Sequence, residues 1–116
     1  MRLINKFCLL FISVILATSA IGCGVLGGSE TIKIGLLSPQ TGPIAQYAPG
    51  FEDAGRVAIA ELNAEHDGDY VFELIIGDSG CDGTQAATAA QTLIDSGVKA
   101  IVGAACSGAT LGAIAV

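Results

Sequence analysis

Three short apolar runs, each closed by small or turn-forming residues, constrain this chain more than any other feature. Residues 32–37 (IKIGLL), 70–77 (YVFELIIG) and 99–103 (KAIVG) are rich in aliphatic and β-branched side chains. The first reads as a mostly buried strand, the second as an apolar strand broken only by Glu73, and the third as a further strand. Between the first two, residues 51–65 put Phe51, Gly55, Ala58 and Leu62 on one helical face, joined by Ala54 and Ile59. Between the second and third, Ala86, Ala89, Ala90, Leu93 and Ile94 form a small-residue face suited to lying close on a sheet. A third helix is expected from about Ser107. Strands alternating with helices require right-handed crossovers and a parallel sheet, which makes this an α/β chain.

The punctuation between elements supplies the candidate residues. Asp82 with Gln85 three positions on is a capping-box-like helix start, and Ser96-Gly97 is the matching stop. Glu52 and Asp53 fall where the first helix should begin, a place the helix dipole favours for acids, and read as structural. Loop 38–50 holds all three prolines, with Gln40, Thr41, Gln46 and Tyr47 as its polar or amphipathic members. Open α/β folds bind ligands in loops at the carboxyl ends of parallel strands, so Tyr47 is a candidate binding wall. The stretch 99–110 (KAIVGAACSGAT) delivers Cys106, Ser107 and Thr110 to the expected start of a helix. Free N–H groups there favour a carboxylate or phosphate, and Ser107 is the first candidate to touch it.

Hydrophobic residues make up 52% of the chain and charged residues 14%, and much of that bias sits in the first two dozen residues. Residues 1–23 read as an export signal: Arg2 and Lys6 precede an apolar core, residues 7–17, too short to span a bilayer, and small residues follow. The ending Ala20-Ile21-Gly22-Cys23 resembles the lipobox of bacterial lipoproteins, with Ala20 where Leu is usual. That resemblance implies lipidation of Cys23 with a diacylglycerol, since one acyl chain alone anchors only marginally. An ordinary cleaved secretory signal, with Cys23 incidental, is the alternative. Residues 24–31 (GVLGGSET) read as a flexible tether, and 32–116 as the folded part. The net charge is −6; without the leader, three basic side chains face eleven acidic ones, a net −8. Such a surface argues against nucleic acid as a partner.

Of four cysteines, Cys8 is a small hydrophobe inside the signal core and Cys23 belongs to the lipobox. Cys81 and Cys106 remain, each just past a predicted strand, the two strands being candidates for neighbours in the sheet. Export places both thiols in an oxidising compartment, and a disulfide between them is the favoured reading. His66 is the sole histidine, so neither a multi-His metal site nor a His pair can be built, and no metal or cofactor is expected. A hydrolase reading would make Cys106 or Ser107 a nucleophile with His66 as base. Residues 104–108 miss the G-x-S-x-G register, and His66 follows a helix instead of lying at the ligand end. Gly103 and Gly108 have phosphate-loop spacing, but Ala109-Thr110 stands where Lys-Ser/Thr is required. The chain reads as a non-enzyme.

IKIGLLSPQTGPIAQY and DSGCDGTQAATAAQTLIDSGVKAIVGAACSGAT, taken together, resemble the N-terminal lobe of the branched-chain amino-acid-binding proteins. These are extracytoplasmic solute-binding components of ABC importers with a two-lobed type I periplasmic-binding-protein fold. The resemblance runs over nearly all of 32–116 and implies a three-layer, parallel-sheet N-terminal lobe, incomplete. It pairs Cys81 with Cys106, gives the ligand's carboxylate to Ser107 and an aromatic wall to Tyr47, and lines the side-chain pocket with Ala105 and Cys106. Its partners would be a small amino acid and a membrane permease, with the protein monomeric, exported and anchored by lipid at the plasma membrane, facing the periplasm or exterior. Gly83 departs from the Pro often found at that helix start. The family continues beyond the position of Val116 through a hinge into a second lobe. The chain therefore reads as a fragment, not expected to bind amino acids with useful affinity alone. A ligand-sensing domain of a membrane receptor built on the same fold is the alternative; the lipobox favours transport.

Overall fold

A computed structural model describes residues 29–66, 68 and 70–116. The readings of 1–23 as an export signal, of Cys23 as a lipidation site and of 24–28 as tether lie outside the described residues. The elements are β1 (Glu30–Ser38), a 3-10 turn (Ala45–Tyr47), α1 (Ala48–Glu65), β2 (Tyr70–Asp78), α2 (Gly83–Asp95), β3 (Ala100–Val102) and α3 (Ser107–Ala113).

The sheet is parallel, in the order β2-β1-β3. Strand β1 pairs with β2 from Glu30 opposite Tyr70 to Ser38 opposite Asp78, and with β3 from Ile34 opposite Ala100 to Leu36 opposite Val102. The strands preceding the two cysteines are therefore not neighbours, since β1 lies between them. Its carboxyl half, from Gly35 to Ser38, is buried, as a central strand covered on both faces must be. The crossovers leave β1 in opposite directions, one to β2 and the next back past β1 to β3. Right-handed crossovers of opposite direction place their helices on opposite faces. Accordingly α1 covers one face, with Leu36 and Leu74 closing on Gly55, and α2 covers the other. There Leu37, Ala90 and Leu93 form the buried core, with Ile75, Val98 and Ile101 packed on it. Helix α3 leans on α2, with Gly112 against Gly83.

Several boundaries differ from the sequence expectation. Glu30 and Thr31 begin β1 and are not tether. Helix α1 starts at Ala48, three residues before Phe51, because Pro49 falls in its first turn, where a missing N–H is harmless. Glu52 and Asp53 thus sit in the second turn and do not act on the helix start. Glu52 instead accepts a hydrogen bond from Gln40 Nε2 (3.0 Å) and faces Arg56 at 3.8 Å. The apolar face of α1 is incompletely covered: Ala48 alone is buried, and Phe51 is 43% exposed. Ile94, expected on the packed face of α2, is exposed. Strand β3 stops at Val102, because Gly103 turns away at φ 110°, where an added Cβ would stand 2.6 Å from the Leu37 carbonyl oxygen.

Candidate functional site

The sheet order locates a crevice before any side chain is considered. From β1 the chain leaves toward the α1 face; from its neighbour β3 it leaves toward the face of α2 and α3. Adjacent parallel strands whose connections diverge in this way open a gap at their carboxyl ends, where open α/β folds bind ligands. An apolar cleft of about 290 Å³ lies beside this point, walled by Leu36, Phe51, Val102, Gly103, Ala104 and Ala105.

All the candidate ligand residues hang on the two diverging loops. Tyr47, 58% exposed, is the N-cap residue of α1 at the end of the β1 loop. Ala105, Cys106 and Ser107 follow β3, with Cys106 the N-cap residue of α3 and Ser107 its exposed first residue. Of these four, Ala105 lines the cleft. Thr110 is not available to a ligand as its position in the motif suggested. Its hydroxyl donates to the carbonyls of Ala104 (3.1 Å) and Cys106 (3.2 Å), inside the turn. Cys81 and Cys106 form a disulfide, with Cα atoms 5.3 Å apart, which joins the β2 and β3 loops although β1 separates the strands. A bonded Cys106 has no thiolate to act as a nucleophile. His66, the only base proposed for it, lies at the other end of the sheet, its ring centroid 5.8 Å from that of Phe72. Among the described residues no cluster of three His, Cys, Asp or Glu is placed to hold a metal ion, and no helix is long and apolar enough to cross a membrane.

The electrostatic focus of the loop cluster is Asp78, at the end of β2. Its Oδ1 accepts from the N–H groups of Thr41 (3.1 Å) and Gly80 (2.9 Å). Its Oδ2 accepts from Thr41 Oγ1 (2.6 Å) and Gln85 Nε2 (2.9 Å). Partial burial pushes this carboxyl up, but the Thr41 hydroxyl and the Gly80 and Thr41 N–H groups outweigh it and hold the pKa below the usual aspartate range.

Residues 31–116 match the family model described as periplasmic binding protein. The chain belongs to this family. Among its relatives is the leucine-, isoleucine-, valine-, threonine- and alanine-binding protein of Pseudomonas aeruginosa, 39% identical over 83 residues. That match covers 71% of this chain and 22% of the relative. The Leu/Ile/Val-binding protein of Escherichia coli K12 is 30% identical, covering 71% of this chain and 23% of the relative. Among solved structures, the branched-chain amino acid transporter substrate binding protein LivJ of Streptococcus pneumoniae, in complex with isoleucine, superposes with a TM-score of 0.67. It is 33% identical, over 74% of this chain and 25% of that one. This periplasmic binding protein thus spans about a quarter of the length of the relatives it matches. Its parallel sheet with helices on both faces has the type I periplasmic-binding-protein fold, of which it holds part.

Sequence reasoning placed the loop residues but missed the Asp78 cluster. One signal was present: Asp78-Ser79-Gly80 is an Asx-turn sequence, and its Gly80 N–H to Asp78 bond is the local part of the cluster. The partner Thr41 lies 37 positions away and left no local signal. The reciprocal half of the capping box was also misplaced. Asp82 Oδ1 accepts from the Gln85 N–H (2.9 Å), but the Gln85 side chain turns away to Asp78 and Thr41.

Proposed function

We propose that this chain supplies the first ligand-bearing segment of an extracytoplasmic solute-binding protein of an ABC importer, selective for branched-chain or related amino acids. What carries the reading is the similarity to relatives named as leucine-, isoleucine- and valine-binding proteins, together with a structural neighbour solved with isoleucine. In this reading the Ser107 hydroxyl donates to the α-carboxylate, Tyr47 packs on the ligand, and Ala105 and Cys106 border its side chain. The apolar cleft beside Ala105 suits an aliphatic side chain. The protein closes two lobes on its solute by hinge motion and presents the closed form to a membrane permease. Residues 1–23 act as the export signal, Cys23 carries the lipid anchor, and residues 24–29 form the leash that lets a monomeric domain work at the outer face of the membrane. Binding, not catalysis, is the activity in this reading, in line with relatives named as binding proteins and with Cys106 held in a disulfide.

The test is an amide-resolved titration of the oxidised chain with isoleucine, leucine and valine, with glucose as control. A half-site is expected to bind in the millimolar range, about −4 kcal/mol. Shifts concentrated at Tyr47 and residues 103–108 support the reading. No response to any of the three amino acids, or an equal response to glucose, overturns it.

A further inference from the structure

The two loops that carry the candidate ligand residues do not hydrogen-bond to one another; each is tied to the β2 loop, which carries none of them. On the β3 side the tie is the Cys81–Cys106 disulfide. On the β1 side it is polar. The Asp78 carboxylate takes both the N–H and the hydroxyl of Thr41, and with them Gly80 N–H and Gln85 Nε2. Gln85 Nε2 closes the ring with a 3.2 Å bond to Thr41 Oγ1. Beneath it, the Ser79 N–H donates to the Ser38 carbonyl (2.8 Å). Beside it Gly42, at φ 87°, lies so close to the Gly80 carbonyl that a Cβ there would collide. From Gly42 the order passes on by successive turns, Ala45 N–H to the Gly42 carbonyl and Tyr47 N–H to the Ile44 carbonyl.

We propose that Asp78 is a positioning residue for the solute site: its carboxylate gathers four donors and thereby fixes the Tyr47 loop to the same β2 loop that the disulfide fixes to Ser107. The inference rests on the amino-acid-binding reading for what the loops carry, and on the hydrogen bonds alone for how they are held. Only a carboxylate meets all four donors. An Asn keeps one acceptor oxygen for the Thr41 and Gly80 N–H groups but turns an NH2 toward Gln85 Nε2, itself a donor. An Ala leaves every donor without its partner. The diversion of the Gln85 side chain from its own helix start to this cluster is a second mark of the same arrangement.

The experiment compares the oxidised wild-type chain with Asp78→Ala and Asp78→Asn by amide hydrogen exchange and by isoleucine titration. Asp78→Ala is expected to speed exchange at Thr41 and Gly80 about tenfold or more, the equivalent of one hydrogen bond. Exchange at Ile34 and Leu93 stays unchanged, and the isoleucine shift at Tyr47 is lost. Asp78→Asn rescues protection at Thr41 and Gly80 in part, which a general loss of stability would not do; should the Ala variant fail to fold, the Asn variant carries the test through the same two amides. Unchanged exchange at Thr41 and Gly80, uniform acceleration across the chain, or a wild-type isoleucine response at Tyr47 that persists undiminished in Asp78→Ala overturns the proposal. If wild type ignores isoleucine while Asp78→Ala still speeds exchange at Thr41 and Gly80 and leaves Ile34 and Leu93 unchanged, the amino-acid reading falls and the clasp stands.

Discussion

The side-chain amide of Asn63, in α1, makes two hydrogen bonds to the backbone of Phe72 in β2, donating to its carbonyl at 3.0 Å and accepting from its N–H at 2.7 Å. Strand β2 is an edge of the sheet, and these are the groups a further strand would seek. Asn63 therefore occupies the edge as a short stand-in for a strand, a way of blunting edge-to-edge pairing.

Replacing Asn63 with Ala removes both bonds and leaves a part-buried backbone pair without partners. The expected loss is about 1–3 kcal/mol in urea unfolding. Concentration-dependent self-association by light scattering should accompany it, while Asn63→Asp, which keeps the acceptor, recovers part of the stability.

Reducing the Cys81–Cys106 bond, whose residues are 25 apart, releases a loop whose closure is worth about 3 to 4 kcal/mol in the chain-entropy model. The midpoint of urea unfolding should fall on adding reductant, and alkylation of the unreduced, unfolded chain should label neither thiol.

Leu93 is 2% exposed, at the centre of the core with Leu37 and Ala90. Leu93→Ala is expected to remove about 2–5 kcal/mol. For a domain this small that is a large part of the total, so calorimetry should show the cooperative unfolding transition weakened or gone.

The pH dependence follows from Asp78. Its folded pKa lies below the unfolded value of about 3.9, so its contribution is fully present above that pH and is lost as pH falls through the folded pKa. The stability difference between wild type and Asp78→Asn should hold steady from pH 5 to 7 and shrink in the acid range below about 3.9. A difference that grew on acidification would contradict the sign.

The alternation of three apolar runs with helical segments carried the parallel α/β class, but full burial holds only for the carboxyl half of β1; β2, with Tyr70, Val71 and Glu73 exposed, and β3, with Ala100 and Val102 exposed, are edges. The start of α1 was not legible, since Pro49 and Gly50 read equally well as loop and as a first helical turn. Nor was the sheet order: a crossover to either side of β1 has the same sequence, and only the packing of Leu37 against Leu93 selects a face. Tyr47 and Ser107 were legible from their places in loops at strand ends, and Ala105 and Cys106 as pocket residues only through motifs that resemble a family; neither route placed the four relative to one another. Asp78 with Thr41, and Asn63 with Phe72, join elements through single side chains and carry no periodic signal.

Whether the β3 loop receives the carboxylate of an amino acid through Ser107 is decided by titrating wild type and Ser107→Ala with isoleucine and with 2-methylbutylamine, which lacks the carboxylate. Amide shifts at residues 103–108 are expected with isoleucine in wild type, weakened about tenfold in Ser107→Ala, and none with the amine. Equal shifts with the amine, or an unchanged response in Ser107→Ala, would contradict this role for Ser107.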